Sequence, residues 1–264
     1  MIGQIKIQEK LNTVTIDDFP KSLILQGESG CGKHLLCSLL EEKFVDYSFI
    51  YVKDKITYEF IEDVYLSLVP SFYIIDSNRL SDREQNILLK VFEEPPKNVW
   101  VIILTTTSAK IIPTILGRAV VWVFEPYTKD ELRQFLGEND ESLLEFVTTP
   151  GQVLGLTNTD INEINKLCNL IIDKIGVASV SNTLSLSNRF KFNNSKKNNE
   201  DGIEFSVFFK MLRASLVERI KADIHIQYVD MYQLTNEVLH SLSVPNVNDR
   251  MIFENYLLRL KYIR

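Results

Sequence analysis

The sequence predicts an α/β fold with a parallel β-sheet, followed by a region made of helices. Two observations predict the sheet: a series of apolar runs without polar alternation, and helical segments that lie between these runs. A third observation predicts the helical region, because apolar residues recur at helical spacing beyond Pro126. Strands that are apolar along their whole length are buried on both faces, so helices must cover both sides of the sheet.

The predicted elements of the first region alternate between helix and strand. Most strands are short apolar runs, and Ser81 is a predicted N-cap for the helix that ends before Pro95. In chain order the prediction is helix Ile2 to about Val14, strand Leu23–Leu25, helix Leu35–Lys43, strand Phe49–Val52, helix Lys55–Leu68, strand Phe72–Asp76, helix from Ser81 through Glu93, strand Val99–Leu104 and strand Val120–Phe124.

A glycine-rich loop follows the first strand and is the strongest functional signal in the chain. Gly27, Gly30 and Gly32 allow backbone N–H groups to turn inward, and Lys33 can reach the outer phosphates of a nucleotide. The pattern predicts that ATP or ADP binds here. His34 departs from the pattern, which has Ser or Thr as a magnesium ligand, so the sequence predicts a weakened magnesium site. His34 is also compatible with a capping or packing role.

Asp76 and Thr106 are predicted to lie near this loop. The carboxyl ends of parallel strands meet at one edge of the sheet, and ligands bind at that edge in open α/β folds. Asp76 either faces a metal ion or caps the next segment. Thr106 either senses a bound phosphate or makes a local hydrogen bond.

Beyond Pro126 the prediction is helical, with stretches at Lys129–Leu136, Glu141–Val147 and Gln152–Ile175. A polar segment, Asn193–Asp201, is predicted to be a loop. Amphipathic helices are predicted from Phe205 to Ile263, with a joint at Pro245–Asp249, and they form either a separate bundle or one part of an oligomeric collar. The predicted domains are 1–126 for nucleotide binding, 127–178 for a helical lid and 179–264 for a C-terminal helical collar.

Composition and charge exclude several classes of function. The formal net charge is −6, which argues against general coating of nucleic acids. Cys31, Cys37 and Cys168 show neither CxxC pairing nor metal-ligand spacing, and suit a reducing compartment. No signal-peptide core follows Met1, and no apolar run approaches the roughly 20 residues of a membrane-spanning helix. We expect a cytoplasmic protein without membrane contact.

Several segments resemble the clamp-loader branch of the AAA+ proteins. Asn86–Pro96 resembles the family's N-x-L-L-K-x-x-E-E-P-P helix, and Lys110–Ala119 resembles its K-x-x-P-T-I-L-S-R-C segment. Ile2-Gly3-Gln4 resembles an N-terminal I-G-Q that borders the adenine pocket. Pro150-Gly151-Gln152 stands where the family's sensor 2 segment reads P-G-R, and Asn248–Leu260 resembles its collar helix. The resemblance implies an AAA+ P-loop domain, a helical lid and a C-terminal collar.

The family is the bacterial-type DNA polymerase III loader, which has gamma/tau motor subunits and a delta-prime subunit. Ser77 replaces the Walker B glutamate that orients the attacking water in a motor, and Gln152 replaces the sensor 2 arginine. With His34, three parts of the hydrolytic machinery are altered. The resemblance therefore implies a subunit deficient in hydrolysis, and it leaves open whether the chain is an enzyme. The cysteine-ligated zinc insert of these subunits is missing from the sequence, so no metal site is expected.

Arg118 is the functional group that the resemblance preserves. It occupies the arginine position of S-R-C, which implies an arginine finger supplied in trans to the nucleotide of a neighbouring subunit. The alternative is a simple surface arginine. By resemblance, Thr106 is the sensor 1 candidate.

The sequence thus favours a delta-prime-like clamp-loader subunit in DNA replication. The implied partners are the other subunits of a hetero-oligomeric ring, the sliding clamp, and primer–template DNA through the complex. One alternative is a gamma-like ATPase with weak intrinsic hydrolysis. A second is a free-standing AAA+ nucleotide sensor unrelated to replication.

Overall fold

The structure of the chain, a computed structural model, describes residues 3–136, 144–157, 161–192, 203–242 and 248–263. The chain divides into two compact units, Met1–Glu131 and Leu132–Arg264. The predicted loop Asn193–Asp201 lies outside the described residues, as do parts of the predicted helix Glu141–Val147 and of the joint Pro245–Asp249. The predicted boundary between a lid and a collar at residue 178 stays a prediction.

The first unit contains a five-stranded sheet with the order β2-β3-β4-β1-β5. Every neighbouring pair of strands is parallel, which confirms the predicted parallel sheet. The strands are β1 Ser22–Gln26, β2 Ser48–Val52, β3 Ser71–Asp76, β4 Val99–Thr105 and β5 Val120–Val123.

Helices connect these strands. Ser81 caps α4 as predicted: its hydroxyl oxygen accepts from the Glu84 N–H, and the Glu84 carboxylate accepts from the Ser81 N–H. The segment α5 was not predicted as a helix, because four residues are too short to show helical periodicity. The helices are α1 Ile5–Thr13, α2 Lys33–Lys43, α3 Tyr58–Leu66, α4 Asp82–Glu93 and α5 Pro113–Leu116.

Successive residues of the central strands point to opposite faces of the sheet, and both faces are buried. Leu23 and Leu25 join a cluster with α2 on one face. Ile24, between them, joins a cluster with α4 on the other face. This burial accounts for the uninterrupted apolar strands, since a strand covered on both sides has no solvent-facing position.

The second unit is mainly helical, as predicted. It also contains a short parallel strand pair, β6 Phe190–Lys191 and β7 Ile203–Glu204, which the sequence analysis did not predict. Two-residue strands are too short to produce an alternation pattern. The helices beyond β5 are α6 Lys129–Leu136, α7 Pro150–Thr157, α8 Ile161–Lys174, α9 Val180–Ser185, α10 Phe205–Ala222, α11 Ile226–Leu242 and α12 Asp249–Lys261.

Aromatic side chains form the core between α10 and α12. The ring of Phe190 lies 4.6 Å from that of Phe253 and 4.7 Å from that of Phe208, measured between centroids. The buried hydroxyl of Tyr256 pairs with the hydroxyl of Thr235 at 2.8 Å. Within the described ranges, none of the helices has both the length and the apolar character needed to cross a membrane.

Candidate functional site

The glycine-rich loop connects β1 to α2, and its conformation depends on glycine. Gly30 and Gly32 have φ angles of 79° and 105°, in the region that side chains rarely adopt. Gly27 is constrained by packing instead. A Cβ there would lie 2.7 Å from both Cys31 Sγ and Phe124 Cβ. The loop therefore approaches Phe124, which directly follows β5, more closely than any residue with a side chain would allow.

Lys33 is the first residue of α2, and its ammonium group points back into the loop. Its Nζ donates hydrogen bonds to the carbonyl oxygens of Gly27 at 2.5 Å and Glu28 at 2.8 Å. The side chain is 8% exposed, and burial lowers the pKa of Lys33. An incoming phosphate would therefore compete with the loop carbonyls for this ammonium group.

Residues far along the chain hold the loop from outside. The Tyr127 hydroxyl donates to the Cys31 carbonyl at 2.8 Å, and burial raises the pKa of Tyr127 to about 12.

The Gln4 side chain pairs with both backbone groups of Glu125, donating to its carbonyl at 2.7 Å and accepting from its N–H at 2.9 Å. The Gln4 amide is thereby used to anchor the N-terminal segment to the end of β5.

A cleft of about 220 Å³ opens beside the loop, at the carboxyl edge of the sheet. This is smaller than the roughly 300–1,000 Å³ typical of small-molecule pockets, and it suits the phosphates of a nucleotide better than the whole molecule. Among the residues predicted from the sequence, those that line the cleft are Gly30, Gly32, Lys33, His34, Asp76 and Thr106.

Asp76 ends β3 at the floor of this cleft. Its Oδ1 accepts a hydrogen bond from the Asn78 N–H at 2.9 Å, so the carboxylate caps the short 3-10 turn Ser77–Arg79. Asn78 in turn accepts from the Lys110 ammonium at 2.6 Å. Ser77 is 1% exposed, and its hydroxyl has no hydrogen-bond partner among the described residues. The residue that follows Asp76 in the chain is thus buried and carries no carboxylate.

Thr105 and Thr106 have different environments. Thr105 is buried, and its hydroxyl donates to the Thr107 carbonyl at 2.8 Å. Thr106 lines the cleft and is partly exposed. The position of Thr106 is compatible with contact to a phosphate, and its role as sensor 1 stays a prediction.

His34 is exposed and lies in the first turn of α2. It lines the cleft and also an adjoining cavity of about 130 Å³, which it shares with Tyr51, Lys53 and Asp76.

The residues of the glycine-rich loop and the start of α2 fit a phosphate group better than they fit magnesium. The loop provides N–H groups and an ammonium, but an imidazole replaces the hydroxyl oxygen that Mg²⁺ would prefer. No group of three or more His, Cys, Asp or Glu side chains that could hold a metal ion occurs in the described parts of the chain.

Gln152 lies in α7, in the second unit, and is 7% exposed. Its Oε1 accepts from the Thr148 N–H at 2.8 Å and from the Thr148 hydroxyl at 3.1 Å. The side chain therefore secures the start of its own helix. Its predicted role toward a nucleotide stays a prediction.

Arg118 follows α5 and is not among the residues that line the cleft. Its Nη1 donates to the Thr114 carbonyl at 2.9 Å, and its Nη2 lies 3.0 Å from Oε1 of Glu93. The Arg118 side chain is 41% exposed and that of Glu93 is 50% exposed. The guanidinium is thus held at the surface of the first unit, where another molecule can reach it.

The segment that carries Arg118 is attached to α4 by a buried amide. Gln85 is 1% exposed, donates to the Lys110 carbonyl at 2.9 Å and accepts from the Ile112 N–H at 2.9 Å.

The sequence analysis did not identify Gln85 or Tyr127 as candidate site residues. A polar residue on the apolar face of a predicted helix was the available signal for Gln85, whereas nothing in the sequence marked Tyr127.

Comparisons with known proteins match part of the chain to subunits of DNA polymerase III. A family model described as "DNA polymerase III, delta subunit" matches residues 54–128. DNA polymerase III subunit gamma of Buchnera aphidicola subsp. Acyrthosiphon pisum (strain APS) is 32% identical over 82 residues. That match covers 30% of this chain and 23% of the relative, so less than a quarter of the relative's length is represented.

Solved structures resemble the whole chain at low identity. A gamma subunit-related protein of DNA polymerase III from Thermotoga maritima has 15% identity and a TM-score of 0.49, covering 97% of this chain and 99% of its own. A variant of Thermotoga maritima RuvB has 16% identity and a TM-score of 0.50, covering 98% and 88%. The RuvB likeness supports the fold alone, and with the parallel sheet and phosphate loop it identifies an α/β fold of the AAA+ type.

The two sequence matches are more specific than the likeness in fold, because both name subunits of DNA polymerase III. The delta family model spans β3, α4 and the segment of Arg118, and the curated relative is a subunit of the same polymerase. Both sequence matches are to DNA polymerase III subunits, and they support the resemblance of this chain to the clamp-loader family.

Proposed function

We propose that the chain is a delta-prime-like subunit of a sliding-clamp loader, which supplies Arg118 in trans to the ATP of a neighbouring subunit and hydrolyses little or no ATP itself. The observation that carries the proposal is the position of Arg118. Its guanidinium is exposed beside α4 and does not line the cleft of its own chain. An arginine placed in this way can act on a nucleotide held by another protein.

The chain's own cleft supports the second part of the proposal. A general base that orients the attacking water contributes about 10²–10⁴ in rate. Ser77 occupies that position, is 1% exposed and cannot act as a base at neutral pH. Asp76 is the acidic residue that lines the cleft, and it already caps the turn at Asn78.

The proposed partners are the other clamp-loader subunits in a hetero-oligomeric ring, the sliding clamp, and primer–template DNA contacted through the complex. ATP or ADP is the proposed ligand of the cleft, held by the N–H groups of the loop and by Lys33 once it leaves the loop carbonyls. Work on replicating DNA would place the protein in the cytoplasm.

The test is an Arg118→Ala variant in a complex reconstituted with gamma-type ATPase subunits, a delta subunit and the sliding clamp. We expect normal assembly and a DNA-stimulated ATPase rate at least about tenfold lower, because an arginine finger contributes about 10³–10⁵ at its own interface. Lys97→Ala, which removes another exposed cation of the first unit, is the control and should leave the rate unchanged. Unchanged ATPase in the Arg118 variant, or failure of the wild-type chain to join the complex, would contradict the proposal.

A gamma-like ATPase with weak hydrolysis is the second candidate, and it is favoured by the gamma subunit relative and by the intact loop lysine. The purified chain would then hydrolyse ATP alone, and Lys33→Ala would abolish the activity. The proposed function predicts no difference between the wild type and this variant in that assay.

A further inference from the structure

The guanidinium of Arg118 has two partners, a hydrogen-bonded carbonyl and an ion-paired carboxylate. Nη1 bonds to the carbonyl of Thr114 in the preceding turn, at 2.9 Å. Nη2 lies 3.0 Å from Oε1 of Glu93, the last residue of α4, and the two side chains form an ion pair. A guanidinium has five N–H donors in a rigid fork, so these two contacts fix its plane and leave other donors for a ligand.

We propose that Glu93 is a positioning residue for Arg118, which holds the guanidinium in the orientation that it uses on a phosphate of the adjacent subunit. This inference rests on the proposed function of Arg118. It assigns to α4 a role at the interface between subunits, in addition to covering the sheet.

The backbone of the segment that carries Arg118 is held by packing and hydrogen bonds, so only the conformation of the Arg118 side chain can vary. Ile115 is fully buried against the helices of this face, and Gln85 holds the segment at both Lys110 and Ile112. An exposed arginine on a fixed backbone still samples many rotamers, and an ion-pair partner at a defined distance reduces that number.

The strength of the ion pair shows whether Glu93 positions Arg118 or keeps it away from a phosphate. An ion pair as exposed as this one changes an equilibrium by about fivefold at most. An arginine that contacts a phosphoryl group in the transition state contributes about 10³–10⁵ in rate. Glu93 is therefore too weak a partner to withhold Arg118 from a phosphate, but it is strong enough to bias an otherwise mobile side chain.

The experiment measures the DNA-stimulated ATPase of the reconstituted complex with Glu93→Ala and Glu93→Gln variants of this chain. We expect Glu93→Ala to lower kcat by roughly twofold to fivefold with an unchanged KM for ATP. Glu93→Gln should lose less, because it keeps a side chain of the same length with an oxygen that can lie near Nη2. Glu94→Ala is the matched control: it removes the adjacent exposed carboxylate, while the ion pair of Arg118 is with Glu93. It should behave like the wild type.

A double variant separates positioning from a general structural effect. In the Arg118→Ala background, Glu93→Ala should cause no further loss, and complex assembly and Tm should match those of Arg118→Ala alone. An equal loss in both backgrounds, an unchanged rate or a raised rate for Glu93→Ala would overturn the inference while leaving the arginine finger in place. If Arg118→Ala itself left the rate unchanged, the proposed function would fail first.

Discussion

The ammonium group of Lys33 lies 2.5 Å from the carbonyl oxygen of Gly27, six residues earlier in the same loop. A second hydrogen bond, to the carbonyl of Glu28, completes the arrangement. The residue that the sequence marks as a phosphate ligand thus also stabilises the loop. If a nucleotide bound at this site, Lys33 would exchange these two carbonyl oxygens for phosphate oxygens. The loss of the carbonyl hydrogen bonds would offset part of the binding free energy from its phosphate contact.

Replacing Lys33 with Ala should therefore destabilise the protein in the absence of nucleotide. Hydrogen bonds from a charged donor are worth about 1.5–3 kcal/mol, and the desolvation that lowers the pKa of Lys33 offsets part of this. We expect the free energy of unfolding to fall by about 1 kcal/mol. Denaturant titration of wild type and variant checks the value.

Lys43 offers a matched control for this prediction. It also donates to two backbone carbonyls, those of Leu11 and Asn12, but it does so in an exposed position. Lys43→Ala should cost less than about 0.5 kcal/mol, because water replaces an exposed donor. Equal stability of the wild type and the Lys33 variant would show that the loop does not depend on this lysine.

The sequence was a good guide where one local pattern determined the outcome. Buried parallel strands produce uninterrupted apolar runs, so the five strands of the sheet were predicted close to their observed bounds. Parallel strands also bring their carboxyl ends together, and this is why Lys33, Asp76 and Thr106 line one cleft.

Contacts between distant positions could not be predicted in the same way. Tyr127 reaches the carbonyl of Cys31 across 96 residues, and periodicity contains no information about such a pair. The ion pair between Arg118 and Glu93 depends on how α5 packs against α4. The Asp76 carboxylate was predicted either to face a metal or to cap a turn, and the hydrogen bond to Asn78 establishes the cap without excluding the other role.

Ser77→Ala should leave the protein as stable as the wild type or stabilise it by up to about 1 kcal/mol. The Ser77 hydroxyl is buried without a hydrogen-bond partner, so its removal relieves a desolvation cost. Ser71→Ala is the control, since Ser71 is equally buried but donates to the Val69 carbonyl at 2.8 Å. That substitution should destabilise by about 1 kcal/mol. A large loss of stability in the Ser77 variant, measured by denaturant titration, would indicate a partner for its hydroxyl.

Gly27→Ala should destabilise the protein by about 1–3 kcal/mol, because the new methyl group would lie 2.7 Å from Cys31 Sγ and Phe124 Cβ. Gly117→Ala should change stability by less than about 0.5 kcal/mol. At Gly117 the φ angle is −70° and the nearest atom to an added Cβ is the Pro113 carbonyl oxygen at 3.5 Å. Comparison of the two Tm values tests the packing of the loop, and a tolerated Gly27→Ala would mean that β5 can move away from it.

Stability should fall as the pH rises from about 9 to 12, and Cys37 is a traceable cause. Burial raises the pKa of Cys37 to about 12, from a usual value near 9. Between these two values the unfolded chain has lost the thiol proton and the folded chain still binds it, so ionisation favours unfolding. Each such group contributes a slope of up to about 1.4 kcal/mol per pH unit. Cys168 has its pKa raised in the same way, also to about 12, and adds to the slope.

In Cys37→Ala, the free energy of unfolding measured at several pH values in this window should decline less steeply with pH. The difference in slope should correspond to about one proton, because the variant lacks one ionising thiol. An identical slope in wild type and variant would mean that Cys37 ionises as readily in the folded protein as in the unfolded chain.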